Sequence, residues 1–213
     1  MIKRVSSKKY LGRRISLTFD DGPDVYYTLK ILDILRAFRV KATFFLVGKN
    51  AQKHPDIVRR IHVEGHDIGN HTYSHPMSPF FRKERKKIIK EEITKTNKII
   101  KNIIGSRPLL FRPPLAVWDL SAKELVRQAK ELRHVPVGWS KSSADWLGIK
   151  FIIRHKLLKR AKSDGDILLF HDGAEKTFMK RREATVQMLP EIIKNCRQEK
   201  LLPLPLTEIL KTK

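Results

Sequence analysis

The clearest structural signal in this 213-residue chain is Ile15-Ser16-Leu17-Thr18-Phe19, which runs directly into Asp20-Asp21-Gly22-Pro23. Apolar and polar residues alternate in the first stretch, and that period of two predicts a β-strand. The second stretch combines two carboxylates with glycine and proline, which favours a turn. The sequence therefore predicts a strand that carries two adjacent acidic side chains at its carboxyl end.

The same unit, a short apolar segment followed by a longer segment of helical period, recurs along the chain. Six or seven such units imply an α/β fold with a mostly parallel sheet covered by helices. A closed or distorted barrel and a doubly wound sheet are both possible, and we favour a barrel of about seven strands because a dinucleotide-binding glycine fingerprint is missing. The further predicted strands are 40–47, 66–70, 109–112, 135–139 and 167–170, and the predicted helices are 29–38, 55–63, 82–104, 120–132, 149–161 and 183–198.

Nothing in the sequence divides the chain into several domains, because it has no repeat, low-complexity tract or linker. We expect residues 1–14 to form a basic N-terminal segment and residues 15–210 to form one domain. With 41% hydrophobic and 31% charged residues, the composition is that of a folded protein. Cys196 is the only cysteine, which excludes an intrachain disulfide and a zinc site built from cysteines.

The chain is strongly basic, with 45 Lys and Arg residues against 22 Asp and Glu residues and a formal charge of +23. This excess suggests a polyanionic neighbour, such as an anionic cell-wall polymer, a membrane surface or nucleic acid. The alternative is that the lysines only solvate the outer faces of helices. Nucleic acid is not expected as a partner, because the sequence shows no zinc finger, RNP-type strand or glycine-rich phosphate loop.

The sequence leaves the cellular location open. No apolar run approaches the roughly 20 residues that span a bilayer, so no transmembrane segment is expected. Residues 1–14 are basic but lack the apolar region of a signal peptide. We expect a cell-wall or extracellular location if a leader has been removed, and a cytoplasmic location if the chain is complete.

Chemically versatile side chains follow five different predicted strands. In an α/β barrel the carboxyl ends of the strands form the active-site face. Each of these side chains, taken singly, has a plain structural explanation, but their shared position at the same end of different strands indicates a functional site. They are Asp20 and Asp21, His71 with His75, Arg112, Asp145 and His171.

These residue types suit a metal-assisted hydrolase. His71 and His75 can turn two imidazoles toward one point, and one carboxylate completes a site with open positions for water or substrate. The side chains of Asp20-Asp21 diverge, so one can bind metal while the other acts as a general base on water. His171 can supply the general acid, and Arg112 can keep the basic carboxylate ionised.

The motifs also carry a family resemblance. Thr18-Phe19-Asp20-Asp21-Gly22-Pro23 and His71-Thr72-Tyr73-Ser74-His75 resemble the first two signatures of the NodB-homology polysaccharide deacetylases, carbohydrate esterase family 4. Phe111-Arg112-Pro113-Pro114 resembles the third signature, Asp145-Trp146 the fourth and Leu169-Phe170-His171-Asp172 the fifth. The five motifs occur in the family's order, and the resemblance covers nearly the whole chain.

The resemblance implies a distorted (β/α) barrel that hydrolyses N-acetyl, sometimes O-acetyl, groups on sugars. It also implies one divalent metal ion, for which two histidines and one aspartate suit Zn²⁺, with Co²⁺, Ni²⁺, Mn²⁺ or Fe²⁺ as possible replacements. Carried over by position, the resemblance implies that Asp20 is the catalytic base and that the metal ligands are Asp21, His71 and His75. It implies that His171 protonates the leaving amine, that Asp145 tunes His171 and that Arg112 orients Asp20. The backbone N–H of Leu115 would be an oxyanion donor, and Trp146 would line the substrate pocket.

Two positions depart from the family pattern. The third motif commonly continues with Tyr-Gly, whereas this chain has Leu115-Ala116, which keeps the backbone donor but loses an aromatic contact to the sugar. The fourth motif commonly opens with an aspartate where this chain has Ser142. We expect activity, with a substrate preference that the family alone does not define.

The leading hypothesis is a metal-dependent N-deacetylase acting on an acetylated glycan, either peptidoglycan or a chitin-like oligomer. The enzymatic alternatives are an O-acetyl xylan esterase and a deacetylase or deformylase of lipid-linked sugars. A non-enzymatic alternative is a silent module that binds polyanions or cell wall. That alternative is disfavoured because every core catalytic and metal-binding position is filled.

Overall fold

The structure is a computed structural model that describes residues 1–3, 13–76, 85–114, 120–158, 163–173 and 182–210. Short strands alternate with helices along these ranges, as the sequence pattern predicts. The strands are β1 (Arg13–Asp20), β2 (Thr43–Leu46), β3 (Asp67–Asn70), β4 (Leu110–Phe111), β5 (Val135–Pro136), β6 (Lys141–Ser142), β7 (Asp166–His171) and β8 (Leu201–Pro203). The helices are α1 (Tyr27–Ala37), α2 (Gly48–Lys53), α3 (Pro55–Val63), α4 (Arg85–Ile104), α5 (Leu120–Glu131), α6 (Lys150–Leu157), α7 (Glu183–Gln198) and α8 (Leu206–Leu210), with a 3₁₀ turn at Asp145–Leu147.

The strands form one sheet in which the recorded pairings are all parallel. Its order is β5-β4-β3-β2-β1-β7-β6, and β8 also pairs with β1. β8 lies beside the first residues of β1 and β2 beside its last residues, so β1 has three neighbours. This arrangement confirms the predicted α/β fold, a distorted (β/α) barrel of about seven parallel strands.

The alternation in β1 separates the core from the site. Ile15, Leu17 and Phe19 belong to a large apolar cluster that includes side chains of α1 and α7. The ring of Phe19 stacks on those of Phe44 and Phe170, with centroids 5.1 and 5.4 Å away. The intervening side chains of β1 are polar yet buried and face the other side of the sheet, because successive residues of a strand point in opposite directions.

Some strands are shorter in the structure than the sequence predicts. The second strand covers Thr43–Leu46 rather than 40–47, and the fifth covers Val135–Pro136 rather than 135–139. Val137 instead forms an isolated parallel bridge with Ile2 near the start of the chain. A proline cannot donate to a strand ladder, which is one reason why a regular strand ends at Pro136.

Two elements near the site were not predicted. α2 has the sequence Gly-Lys-Asn-Ala-Gln-Lys, which carries no apolar period. β6 consists only of Lys141 and Ser142, and its pairing with β7 is a backbone interaction. Backbone pairing of this kind leaves no signal in side-chain polarity.

The predicted N-terminal segment ends close to the start of the sheet, since β1 begins at Arg13. The division into residues 1–14 and 15–210 stays a prediction, because residues 4–12 lie outside the described part of the chain. The predicted helices 82–104 and 149–161 extend past the described ranges at one end each. Among the described helices, none is both long and apolar enough to cross a bilayer.

Candidate active site

One carboxylate and two imidazoles converge beyond the ends of β1 and β3. Asp21 directly follows β1, His71 directly follows β3, and His75 lies four residues further on. The Nε2 atoms of His71 and His75 are 3.5 and 3.3 Å from Oδ1 of Asp21. All three residues are buried, and their ligand atoms lie within 4.8 Å of one another, so the group could hold a metal ion.

The atoms of this group suit a cation. Nδ1 of His71 is 2.7 Å from the carbonyl oxygen of Arg112, which fixes the ring and leaves Nε2 as the nitrogen that faces Asp21. Oδ1 of Asp21 is buried and has no hydrogen-bond donor among the described residues. A buried acceptor without a donor is costly, and a divalent cation between the three side chains would satisfy it.

The backbone around the ligands is strained. Asp21, Thr72 and His75 have φ angles of 77°, 68° and 49°, in the left-handed region that favours glycine. Each such residue costs on the order of 1–3 kcal/mol, and strain of this kind is concentrated at functional sites.

Burial raises the pKa of Asp21, but the neighbouring His71, His171 and His75 outweigh the effect of burial and hold that pKa well below its usual range.

Asp20 occupies a different environment from its neighbour. Its Oδ1 accepts a hydrogen bond of 2.7 Å from Nη1 of Arg112, which is fully buried. The guanidinium also donates to Oγ1 of Thr18 at 2.8 Å and to the carbonyl of Gly138 at 2.7 Å. Oδ2 of Asp20 lies 3.9 Å from Nε2 of His71, at the edge of the ligand group. Arg112 therefore neutralises and orients Asp20 beside the ligands.

Partly exposed His171 pairs with fully buried Asp145 on the opposite side of β1. His171 ends β7, in register with Asp20, and its Nδ1 is 2.8 Å from Oδ1 of Asp145. Oδ2 of Asp145 accepts from the backbone N–H of His171 and from the hydroxyl of Thr185, at 2.8 and 2.7 Å. Burial lowers the pKa of His171, but Asp145 more than compensates and, with Asp21 and Asp20, raises it to about 9. His171 is accordingly a cation at neutral pH.

The structure brings together seven of the nine residues selected from the sequence, and the other two are Trp146 and Leu115. Trp146 follows Asp145 in the 3₁₀ turn and is 42% exposed, so its ring is accessible to a ligand. Leu115 lies outside the described residues, and its role as an oxyanion donor stays a prediction. The seven residues that converge are Asp20, Asp21, His71, His75, Arg112, Asp145 and His171.

Sequence reasoning missed several supporting residues. Thr185, on α7, donates a hydrogen bond to Asp145. Arg182, the residue before α7, lies 3.8 Å from the carboxylate of Asp21. No local sequence pattern marks either residue. Asn50 of the unpredicted helix α2 donates to the carbonyl of Asp21 at 2.8 Å. The role of Asp172 was also missed, although its position directly after His171 could have drawn attention to it. The residue is buried, and burial raises its pKa to about 8.

Comparison with known proteins gives one consistent result. The family model for polysaccharide deacetylases matches residues 7–132. A peptidoglycan-N-acetylglucosamine deacetylase of Bacillus cereus is 44% identical over 143 residues, which cover 67% of this chain and only half of that protein. A chitooligosaccharide deacetylase of Rhizobium leguminosarum bv. trifolii is 36% identical over 163 residues, covering 76% of this chain and 72% of that protein. The crystal structure of the Bc1960 peptidoglycan N-acetylglucosamine deacetylase has a TM-score of 0.82 and 35% identity, covering 97% of this chain and 92% of that one.

Proposed function

This chain belongs to the polysaccharide deacetylase family, and from that premise we propose that it is a metal-dependent hydrolase of N-acetyl groups on an amino-sugar glycan. The glycan class we propose is peptidoglycan, with chitin-like oligomers as the second candidate. The names of the similar proteins support both classes. In this proposal Asp21, His71 and His75 hold one divalent ion, and Zn²⁺ is the ion that best suits this donor set.

A divalent ion held by Asp21, His71 and His75 would supply Lewis acidity, which lowers the pKa of water and stabilises negative charge on an acyl oxygen. The chain's own residues perform the proton transfers. Asp20 accepts the proton of the attacking water through Oδ2, since Oδ1 is engaged by Arg112. Arg112 holds Asp20 in place by this bond and leaves Oδ2 as the oxygen that can take the proton.

The leaving group is an amine, which departs only after its nitrogen gains a proton. His171 donates that proton from Nε2, because Nδ1 is held by Asp145. The raised pKa of about 9 keeps the imidazole protonated before the reaction, as a general acid requires. Trp146, exposed beside this pair, provides an apolar surface for the sugar ring.

The observation that carries the proposal is the contrast between two adjacent aspartates. Asp21 presents a buried oxygen without a donor to two imidazole nitrogens, whereas Asp20 is neutralised by a buried arginine. Such a contrast gives one carboxylate to a cation and the other to proton transfer. A silent binding module would require neither environment.

Acetate release from a panel of acetylated glycans tests the proposal. We expect release from N-acetylated peptidoglycan or chitooligosaccharides, its loss with a chelator, and its recovery on addition of Zn²⁺. Release only from acetylated xylan would identify an O-acetyl esterase, and release only from lipid-linked sugars would identify the other enzymatic alternative. His75→Ala should be inactive, and His62→Ala, at an exposed histidine on α3, is the matched control.

We further propose that the charge of +23 promotes association with an anionic cell wall or membrane, independently of turnover. Exposed charges are screened beyond about 8–10 Å at physiological ionic strength, so binding should weaken strongly as salt rises. Sedimentation with purified cell wall or anionic vesicles across a salt series measures this. Binding that does not change with salt would favour the alternative, in which the lysines only solvate the surface.

A further inference from the structure

We propose that Glu92, on α4, is a positioning residue that fixes the segment His71–His75 and thereby aims His75 at the metal site. Glu92 belongs to none of the motifs selected from the sequence, and it follows His75 by 17 positions in the chain. The identity of the bound ion rests on the proposed function. The role of Glu92 in fixing the segment rests on its own contacts.

Glu92 binds the segment with both of its carboxylate oxygens. Oε2 accepts hydrogen bonds of 2.8 Å from the backbone N–H groups of Tyr73 and Ser74. Oε1 accepts a bond of 2.9 Å from the hydroxyl of Ser74. Hydrogen bonds to a carboxylate are stronger than those between neutral groups, and a pair of adjacent N–H donors fixes the direction of the backbone. Glu92 therefore holds the two residues that immediately precede His75.

The opposite side of the segment is held by α2. The backbone N–H groups of Gly48 and Lys49 donate to the carbonyls of Thr72 and Tyr73, at 2.8 and 2.9 Å. α2 thus binds carbonyls of the segment, while Glu92 on α4 binds its N–H groups. The two helices complement one another at the peptide between Tyr73 and Ser74, because Lys49 donates to its carbonyl and Glu92 accepts from its N–H.

The segment requires such support because its backbone is strained. Thr72 and His75 both adopt left-handed φ angles, which a β-branched residue such as threonine strongly disfavours. A strained conformation persists only when its surroundings over-determine it. Loss of Glu92 removes three hydrogen bonds next to His75, so the segment can relax and His75 can turn away from Asp21. None of these three hydrogen bonds reaches a ligand atom, so the effect of Glu92 passes through the backbone.

The test compares Glu92→Ala with Glu91→Ala, which removes an exposed carboxylate from the preceding position of the same helix. Zn²⁺ affinity of the metal-free full chain is measured by competition with a chelator. Loss of a residue that orients a ligand typically weakens metal binding by about 10–100-fold, and we expect this range for Glu92→Ala only. Hydrogen exchange of the Tyr73 and Ser74 amides, measured without metal, should accelerate in the same variant.

The exchange measurement separates this proposal from the proposed function. If the unmodified chain bound no metal, the proposed function would fail, while exchange would still report whether Glu92 holds the segment. Glu92→Gln serves if the alanine variant does not fold, because its amide oxygen can keep the backbone N–H bonds, and it should restore most of the affinity. Equal Zn²⁺ affinity and equal amide exchange in Glu92→Ala and Glu91→Ala would overturn the proposal.

Discussion

The two halves of the site place aspartate and histidine in opposite electrostatic environments. The ligand half, made of Asp21, His71 and His75, leaves Oδ1 of Asp21 without a hydrogen-bond donor among the described residues. The proton-transfer half contains two pairs, Asp20 with Arg112 and His171 with Asp145, in which each buried carboxylate is matched by a cationic partner. A buried acceptor without a donor marks a place for a cation, whereas a satisfied one marks a group whose charge is set by the protein.

The largest effects are expected from the two aspartates. Asp21→Asn should lose both metal and activity, because a neutral amide is a poor ligand for a divalent ion. Asp20→Asn should keep its metal and lose turnover by at least about 10²–10⁴-fold, the typical contribution of general acid–base catalysis. Elemental analysis and acetate release on both variants measure these effects.

A melting curve is the control for Asp20→Asn, because it leaves Arg112 buried without its anion. Breaking a buried ion pair typically costs about 3–5 kcal/mol, so the variant should be less stable but folded at low temperature. The roles would have to be exchanged if Asp20→Asn lost the metal while Asp21→Asn kept it.

His171→Ala should lower the rate by about 10²–10⁴-fold without changing the metal content. The reason is that His171 belongs to the proton-transfer half and its ring is bound to Asp145 rather than to the ligand group. His155→Ala, at an exposed histidine on α6, is the control. A fully active His171→Ala variant would refute the assignment of the acid.

The pH profile should separate the halves at the alkaline side. His171 donates its proton only while protonated, so activity should fall as the pH rises through its pKa of about 9. Asp145→Asn removes the anion that raises this pKa, and burial then lowers it. The alkaline limb of the variant should therefore move to lower pH. An unchanged alkaline limb in Asp145→Asn would show that another group controls it.

The smallest effect is expected from Thr185→Val. This change removes one of the donors to Oδ2 of Asp145 and leaves the backbone N–H of His171 in place. A single lost hydrogen bond costs about 0.5–1.5 kcal/mol, which corresponds to a change in rate of roughly tenfold or less. Acetate release and thermal unfolding measure it, with Thr94→Val on the exposed side of α4 as the control. A loss as large as that of His171→Ala would contradict this ranking.

The sequence predicted what depends on local pattern. The strand at 15–19 followed from alternation, and its two acidic residues lie at the end of β1 because the turn residues follow at once. The carboxyl ends of parallel strands share one edge of the sheet, which brings His71 and His171 toward the same site. Composition and motif order were enough for these features.

What escaped prediction depends on contacts between distant residues. Arg112 could be selected, but its bonds to Thr18 and the carbonyl of Gly138 arise only when β1, β4 and β5 approach in the folded sheet. Thr185 and Glu92 lie on helices whose sequences look like ordinary amphipathic surfaces. A hydrogen bond from a helix to a loop leaves no period in the sequence, and only the fold reveals it.

The central position of β1 has a consequence for synthesis of the protein. Thr18 donates its hydroxyl to the carbonyl of Leu168, which is 150 residues further along the chain. At about 5–20 residues per second, a ribosome takes roughly 8–30 s to add that length. Throughout this interval the nascent chain has an acidic strand end without its C-terminal neighbours, and the N-terminal half cannot complete the barrel on its own. Chaperones that shield an unpaired strand edge should therefore act mainly while the second half of the chain is being made.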